Sequence, residues 1–336
     1  MSHPPANKRR TLDMDVVLGL PVADDVAGYQ AYARMAVELG YQRIWIPETY
    51  KLDPISFGGW FASTFPDHPV GIGPMPGPLR TGPQLAMIAA SLAGLGASDL
   101  EVIVGASSPA MVKGWHNRPS LTVADMESLL GAVRAACSGQ PTAITEGSYR
   151  SRGFTNGLGR VQLPVGITSF SPRMLRLAGR IADHVALNMI SPRAVPAFLA
   201  EIAEGAKSVG RTPPPVTVWA HVCLDPTQES VAFAKRFLAG YIRVPGYDRN
   251  FALQGFGSVV DAAKAAPSAR EVRELIPDEL LVSALGFGSL AEIRQRLDEY
   301  RELGVSMALV PSTAADPGGV RTLTALSGLA GAGNSA

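Results

Sequence analysis

The chain has 336 residues, 46% of them apolar and 18% charged, and its 30 Lys and Arg residues nearly balance its 29 Asp and Glu residues. So little net charge gives no basic field for nucleic acid or an anionic membrane surface, and no apolar run reaches the ~18 residues a membrane span requires, so small molecules are the expected partners. Cys137 and Cys223 lie far apart and outside any CxxC or Cys/His cluster, which points to neither a disulfide framework nor a zinc site and fits a reducing cytoplasm.

The low charge fraction leaves little polar surface for a chain of this size, so apolar surface buried between subunits, in a homodimer or larger assembly, is expected. At the start, "MSHPPANKRR" runs into "TLDMDVV", whose acids interrupt what would have to be the apolar part of a secretory signal. Residues 1–12 read as a disordered tail and residues 13–330 as one domain.

Along that domain, short runs rich in Val and Ile recur between segments of helical spacing. Strands are predicted at "MDVVLGL" (14–20), "RIWIP" (43–47), "PVGIG" (69–73), "LEVIVG" (100–105), "PVGIT" (164–168), "HVALN" (184–188), "VTVWAHV" (216–222) and "SMALV" (306–310). Helices are predicted in "DVAGYQAYARMAVELG", "TGPQLAMIAASLAGLG" and "SLAEIRQRLDEYRELG"; the first and last place apolar residues three and four apart and end on a glycine able to close a helix. Eight strands alternating with helices favour a closed (β/α)8 TIM barrel over an open doubly wound sheet.

Two segments depart from the repeating unit. Residues 138–163 are rich in Gly, Ser and Thr and read as a loop with a small hairpin. Residues 240–288 form a long excursion with several short helices, of the kind that covers the ligand face of a barrel enzyme.

"VIVGASSPAM" (102–111) lacks the three glycines of a Rossmann fingerprint; in a barrel it is the ligand-facing end of strand four, where Ser107 and Ser108 offer hydroxyls. The five histidines, at 3, 68, 116, 184 and 221, show no metal-ligand spacing, so no metal is expected. His221 alternates with Trp219 on strand seven and reads first as a packed, hydrogen-bonded histidine, second as a substrate contact. Glu48 follows strand two, where a carboxylate points to the barrel mouth unless it serves as a helix cap or loop acid.

"GIGPMPGPLR" (71–80) makes either a kink through a cis Gly73–Pro74 bond or an ordinary Pro-rich loop. In "SFSPRMLRLAGRIAD" (169–183), free amides at a helix start, serine hydroxyls and Arg173 compose an anion site, although a serine-capped turn is the simpler reading of the spacing.

Several of these stretches, taken in order, resemble the luciferase-like monooxygenase superfamily, and in particular its coenzyme F420-dependent oxidoreductase branch. The resemblance is carried by "SPRMLRLAGRIAD", "GPLRTGPQLAMIAASLAGL", "LEVIVGAS", "PTAITEGSYRSRG" and "GFGSLAEIRQRLDEYRELGV", and it covers nearly the whole chain. It implies a (β/α)8 barrel, commonly dimeric, that binds a flavin or deazaflavin at its C-terminal mouth. By position, Thr168, Ser169, Phe170, Ser171 and Arg173 would hold the cofactor phosphate, Gly73 and Pro74 would back the deazaflavin ring, and Ser107 and Ser108 would line it.

This chain departs from many relatives in having Glu48-Thr49 where they carry Asp-His, Ser107-Ser108 where several dehydrogenases carry a glutamate, and His184 where glycine is usual. The resulting expectation is an F420-dependent reductase or dehydrogenase passing hydride between the deazaflavin and a small organic substrate. Glu48 is the first candidate for moving the accompanying proton, with His116 and His221 behind it. The alternatives are an FMN-dependent monooxygenase served by a separate flavin reductase, and a non-catalytic flavin-binding relative.

Overall fold

The Val- and Ile-rich runs lie side by side, every one parallel to its neighbours, in a computed structural model that describes residues 14–19 and 23–328. The strands are β1 (Asp15–Val17), β2 (Ile44–Ile46), β3 (Val70–Pro76), β4 (Leu100–Gly105), β5 (Val165–Thr168), β6 (His184–Asn188), β7 (Val216–Leu224) and β8 (Ser306–Pro311). They follow one another around the sheet in chain order. β8 returns to β1 through Asp15↔Ala308, and β6 joins β7 from Val185↔Val216 to Asn188↔Trp219. The sheet is therefore a closed eight-stranded parallel barrel, and each strand read from the sequence is one of its staves. The residues read as an N-terminal tail lie outside the described residues.

The outer ring begins with α1 (Val26–Glu38), α2 (Pro54–Thr64), α3 (Gly82–Gly94), α4 (Val123–Cys137), α5 (Pro172–Ile181), α6 (Val195–Lys207) and α7 (Gln228–Ala239). Asp25 caps α1 by accepting the Gly28 amide at 2.7 Å, and Gly40 follows the helix at φ +88°. The excursion before the last strand holds α8 (Tyr247–Phe251), α9 (Gly257–Ala265), α10 (Ala269–Leu275) and α11 (Asp278–Leu285). α12 (Leu290–Glu302) and α13 (Val320–Ser327) complete the order. α12 opens on a reciprocal Ser289/Glu292 capping box, and Gly304 follows it at φ +71°. Between α4 and β5, Ala143–Ile144 and Ser151–Arg152 pair as a short antiparallel hairpin. No helix among the described residues is long and apolar enough to cross a membrane.

Three apolar clusters follow from this layout. The largest lies between strands and helices. A second fills the lumen with Val17, Trp45, Ile103, Ala186, Trp219, Ala308 and Val310, so the barrel interior is packed and a ligand must bind above it. The third belongs to the excursion, where Leu238, Ile242, Phe251, Val260 and Leu280 bury one another beside Met189 and Cys223 at the strand ends. The excursion is thus a packed cover and not a loose loop.

The N-terminal foot of the barrel is a polar cluster. Trp45 Nε1 donates to Asp15 Oδ2 at 2.8 Å, Arg43 pairs with Asp99 at 2.9 Å and Glu101 at 3.0 Å, and His184 bonds Thr217 Oγ1 at 2.8 Å. Burial pushes the Asp15 carboxyl up to about 6 and the His184 imidazole down to about 4, so His184 is neutral at physiological pH. This places His184 at the end of the barrel opposite the mouth, as part of its foundation.

Candidate active site

The mouth is furnished by the loops after β2, β3, β4 and β5 and by the C-terminal parts of β6 and β7. At the end of β3 the register against β4 shifts between Ile72 and Met75. The Gly73–Pro74 peptide is cis, and Gly73 sits at φ +126°. A Cβ at Gly73 would stand 2.2 Å from the Ile103 carbonyl oxygen, so only glycine lets β3 bulge here against β4.

After β2, Glu48 forms an ion pair with Arg80 of the loop after β3, and both side chains are largely buried. Burial raises the Glu48 carboxyl above the ordinary range, while Arg80 and, more weakly, His116 draw it back down. Glu48 and Arg80 share a cavity of ≈ 700 Å³ with His116, Arg118 and Tyr149. Tyr149 is set by its hydroxyl, which donates to the Gly77 carbonyl at 3.0 Å. His116 itself is exposed, at the end of the wide helical turn Ala110–Trp115.

After β4, Ser107 adopts a left-handed conformation at φ +60°, and Ser108 Oγ accepts the Met111 amide at 3.3 Å. After β5, the serines do not cap α5: Ser169 Oγ accepts the Ser171 amide at 3.0 Å, and the helix begins without a side-chain cap. The first main-chain bond of the helix runs from Leu175 N to the Ser171 carbonyl, which leaves the Arg173 and Met174 amides free at the positive end of the helix dipole. Arg173 is exposed beside them. Phe170 turns inward instead, its ring 4.8 Å from Tyr247 and 5.9 Å from Phe198.

Where this loop sits is fixed by α5 and α6, which approach backbone to backbone. A Cβ on Gly179 would come within 2.0 Å of the Ile202 carbonyl oxygen, and one on Gly205 within 2.0 Å of that of Arg176.

Across the mouth, a hydrogen-bonded chain runs from β7 through β6 to α8. His221 Nε2 meets Asn188 Oδ1 at 2.9 Å, and Asn188 Nδ2 donates to Tyr247 Oη at 3.0 Å. Burial lowers the His221 imidazole to about 3, so this histidine is neutral and donates Nε2–H to the amide oxygen. Two residues earlier on β7, Trp219 is paired in register with Asn188, yet its buried Nε1–H has no acceptor among the described residues. A buried indole donor without a partner costs free energy unless a ligand or water completes it, and this one belongs to the lumen cluster.

The mouth therefore combines a backbone bulge, an uncapped helix start, an orphan lumen donor and a half-buried carboxylate. The family model described as "Luciferase-like monooxygenase" matches residues 11–307. The chain belongs to the luciferase-like monooxygenase family.

Within this family of enzymes it is 25% identical over 320 residues, 87% of this chain and 92% of the relative, to a Mycobacterium tuberculosis protein named "Putative coenzyme F420-dependent oxidoreductase Rv3520c". Among solved structures, the F420-dependent tetrahydromethanopterin reductase from Methanopyrus kandleri superposes with a TM-score of 0.72 at 17% identity, covering 94% of this chain and 98% of that one. The oxygenating constituent of 3,6-diketocamphane monooxygenase from Pseudomonas putida, in complex with FMN, superposes with a TM-score of 0.64 at 16% identity, covering 94% and 97%. Both structural likenesses establish the shared barrel.

In this luciferase-like chain, the sequence-derived residues fall into three places. Glu48 and His116 line one cavity, with Gly73 and Pro74 at the neighbouring strand end. Ser107, Ser108, Thr168, Ser169, Ser171 and Arg173 ring the ends of β4 and β5. His221 stands apart, lining a small cavity with Phe237, Phe287 and Pro311. Sequence reasoning missed Arg80, Asn188 and Tyr247. Asn188 carried a usable signal as the polar residue closing the apolar strand "HVALN". Arg80 in its loop and Tyr247 at the start of α8 meet partners 32 and 59 residues away. Among the described residues no group of three or more His, Cys, Asp or Glu gathers as a metal site.

Proposed function

We propose that this enzyme is a coenzyme F420-dependent oxidoreductase that moves hydride between the deazaflavin and a small organic substrate. The observation that carries the reading is the buried Trp219 Nε1–H, which has no acceptor among the described residues, on a lumen side chain in register with Asn188. It suits a flat heterocycle with carbonyl acceptors seated on the top layer of the barrel. The uncapped start of α5, with the Arg173 and Met174 amides and the Arg173 guanidinium, suits the phosphate of such a cofactor. The bulge at Gly73–Pro74 would support the ring from the β3 side. When bound, the deazaflavin supplies a carbon that gives or takes hydride.

The protein's own part is orientation and proton handling. Glu48, raised by burial and steadied by Arg80, is the group proposed to give a proton to the reduced substrate and to take one in the reverse direction. Neutral His221 holds the Asn188 amide, and through it Tyr247, so that the excursion is tied to the mouth and water is kept out.

A cofactor titration tests the reading. The purified chain is expected to quench and shift F420 with one equivalent bound per chain. Tighter binding of FMN, with substrate-dependent oxygen uptake in the presence of a flavin reductase, would favour the monooxygenase alternative instead.

A further inference from the structure

We propose that the rim of the mouth carries a second anion site, separate from the α5 start, in which Arg236, Arg243 and Arg273 take a multiply charged small-molecule anion such as a phosphate ester or a pair of carboxylates. The three guanidiniums line a cavity of ≈ 550 Å³ between the Ser108–Ala110 turn after β4, the C-terminal half of α7 and the start of α10's face. No Asp or Glu lines it.

Charge accounting makes the cluster unusual for a chain whose net charge is +1. Arg236 is partnered by the Phe233 ring, 5.9 Å from its centroid, and Arg243 by a long contact from Nη1 to the Ala266 carbonyl at 3.4 Å. Arg273 has no side-chain partner among the described residues. Three acids of the surrounding elements pair with other cations, Glu274 with Arg270 at 2.9 Å, Asp248 with Lys264 at 2.7 Å and Asp278 with Lys235 at 2.7 Å, and Glu271 accepts from Ser268 at 2.8 Å. Glu229 lies at the other end of α7, about 10 Å along the helix from Arg236 at ~1.5 Å per residue.

Three like charges thus line one concavity that no carboxylate among the described residues lines, and a bound anion would offset their repulsion. Guanidinium forks supplied by α7, the segment after it and α10 suit planar or tetrahedral oxyanions, which such forks bind in bidentate fashion. Ser108 adds a hydroxyl whose oxygen accepts the Met111 amide, leaving its proton to donate. Because Ser108 is three residues beyond the end of β4, an anion here is within reach of a molecule whose other end occupies the mouth.

The site is tested on the full-length chain by calorimetric titration with inorganic pyrophosphate, which does not depend on the identity of the redox cofactor. Wild type is expected to bind, and affinity to fall at least tenfold in Arg243→Gln/Arg273→Gln but less than twofold in Arg173→Gln. The Arg243→Lys/Arg273→Lys variant should retain part of the binding, which separates lost charge from a misfolded rim. A wild type that ignores pyrophosphate, or one whose binding disappears with Arg173 and not with the rim arginines, overturns the proposal.

Repeating the titration with F420 present locates the source of the anion, and either answer supports the site. Competition means that the charged arm belongs to the cofactor, and independent binding means that it belongs to the substrate.

Discussion

At Glu48 two opposing forces meet. Burial favours the protonated carboxyl, and the Arg80 guanidinium favours the ionised one, with burial the larger. A carboxyl held above its ordinary range keeps its proton to higher pH than a free one, whereas neutral His221, lowered to about 3, has none to spare. Glu48→Gln keeps the shape and loses the proton, so turnover should fall by about 10²-fold or more while the cofactor dissociation constant changes less than twofold. In the reducing direction the rate should decline as pH rises through the raised Glu48 value, and Arg80→Gln should move that decline to higher pH. A pH–rate profile identical in wild type and Arg80→Gln would remove the pair from the chemistry.

Asp15 presents the same physics without the catalytic use: burial raises it from 3.8 to about 6 at the foot of the barrel. A carboxyl whose folded value exceeds its unfolded value contributes stability below the unfolded value and loses it as pH rises through the folded one. Wild type should therefore lose about 3 kcal/mol from this group between pH 4 and 7, at ~1.4 kcal/mol per unit. Asp15→Asn still accepts the Trp45 indole proton and should flatten that part of the stability profile in urea unfolding at several pH values.

The helices α5 and α6 show how an element outside the mouth sets the geometry within it. Their glycine contact, with Gly205 against the Arg176 carbonyl and Gly179 against that of Ile202, fixes the axis of α5 and hence where its free amides point. An alanine in an exposed helix interior would gain up to about 1 kcal/mol over glycine. At Gly205 the added methyl instead meets main-chain oxygen, and neither helix can yield without moving a strand loop. Gly205→Ala should cost about 2 kcal/mol net in chemical denaturation and weaken phosphate-bearing cofactors more than their phosphate-free analogues. Equal weakening of both would show that α5 does not carry the phosphate contact.

This contact was not legible in the sequence. Nothing local in "RMLRLAGRIAD" or "AEIAEGAK" marks its glycine as a contact point, and the glycines gain meaning only once the helices are seen to touch. The serine loop shows the converse: the sequence placed Ser169 and Ser171 at a helix start, but only coordinates reveal that Ser169 bonds the loop and leaves α5 uncapped.

Across the whole molecule, what was readable is what repeats. Eight apolar runs at helical intervals call for a parallel sheet buried on both faces and favour a closed barrel over an open doubly wound sheet, and the helix-closing glycines at 40 and 304 mark its rhythm. The functional layer does not repeat. It is assembled from loops that meet across the mouth, such as Asn188 with Tyr247 or Glu48 with Arg80, and no local pattern encodes those meetings.

The layout also governs how ligand binding stabilises the protein. The lumen is packed by Trp45 and Trp219 with ring centroids 6.5 Å apart, so the barrel should fold without its cofactor, and the cofactor should add stability only by mass action. At a free concentration 100 times its dissociation constant that addition is about 2.7 kcal/mol. Scaling unfolding entropy at roughly 2 cal/mol/K per residue, a chain of this length should melt only about 4 °C higher. F420 should produce this increment in a thermal scan, and Trp219→Phe, which removes the orphan donor while keeping a ring in the lumen, should shrink it. If the apo chain fails to melt cooperatively and becomes folded only with cofactor, the lumen does not stand alone and the cofactor is part of the core.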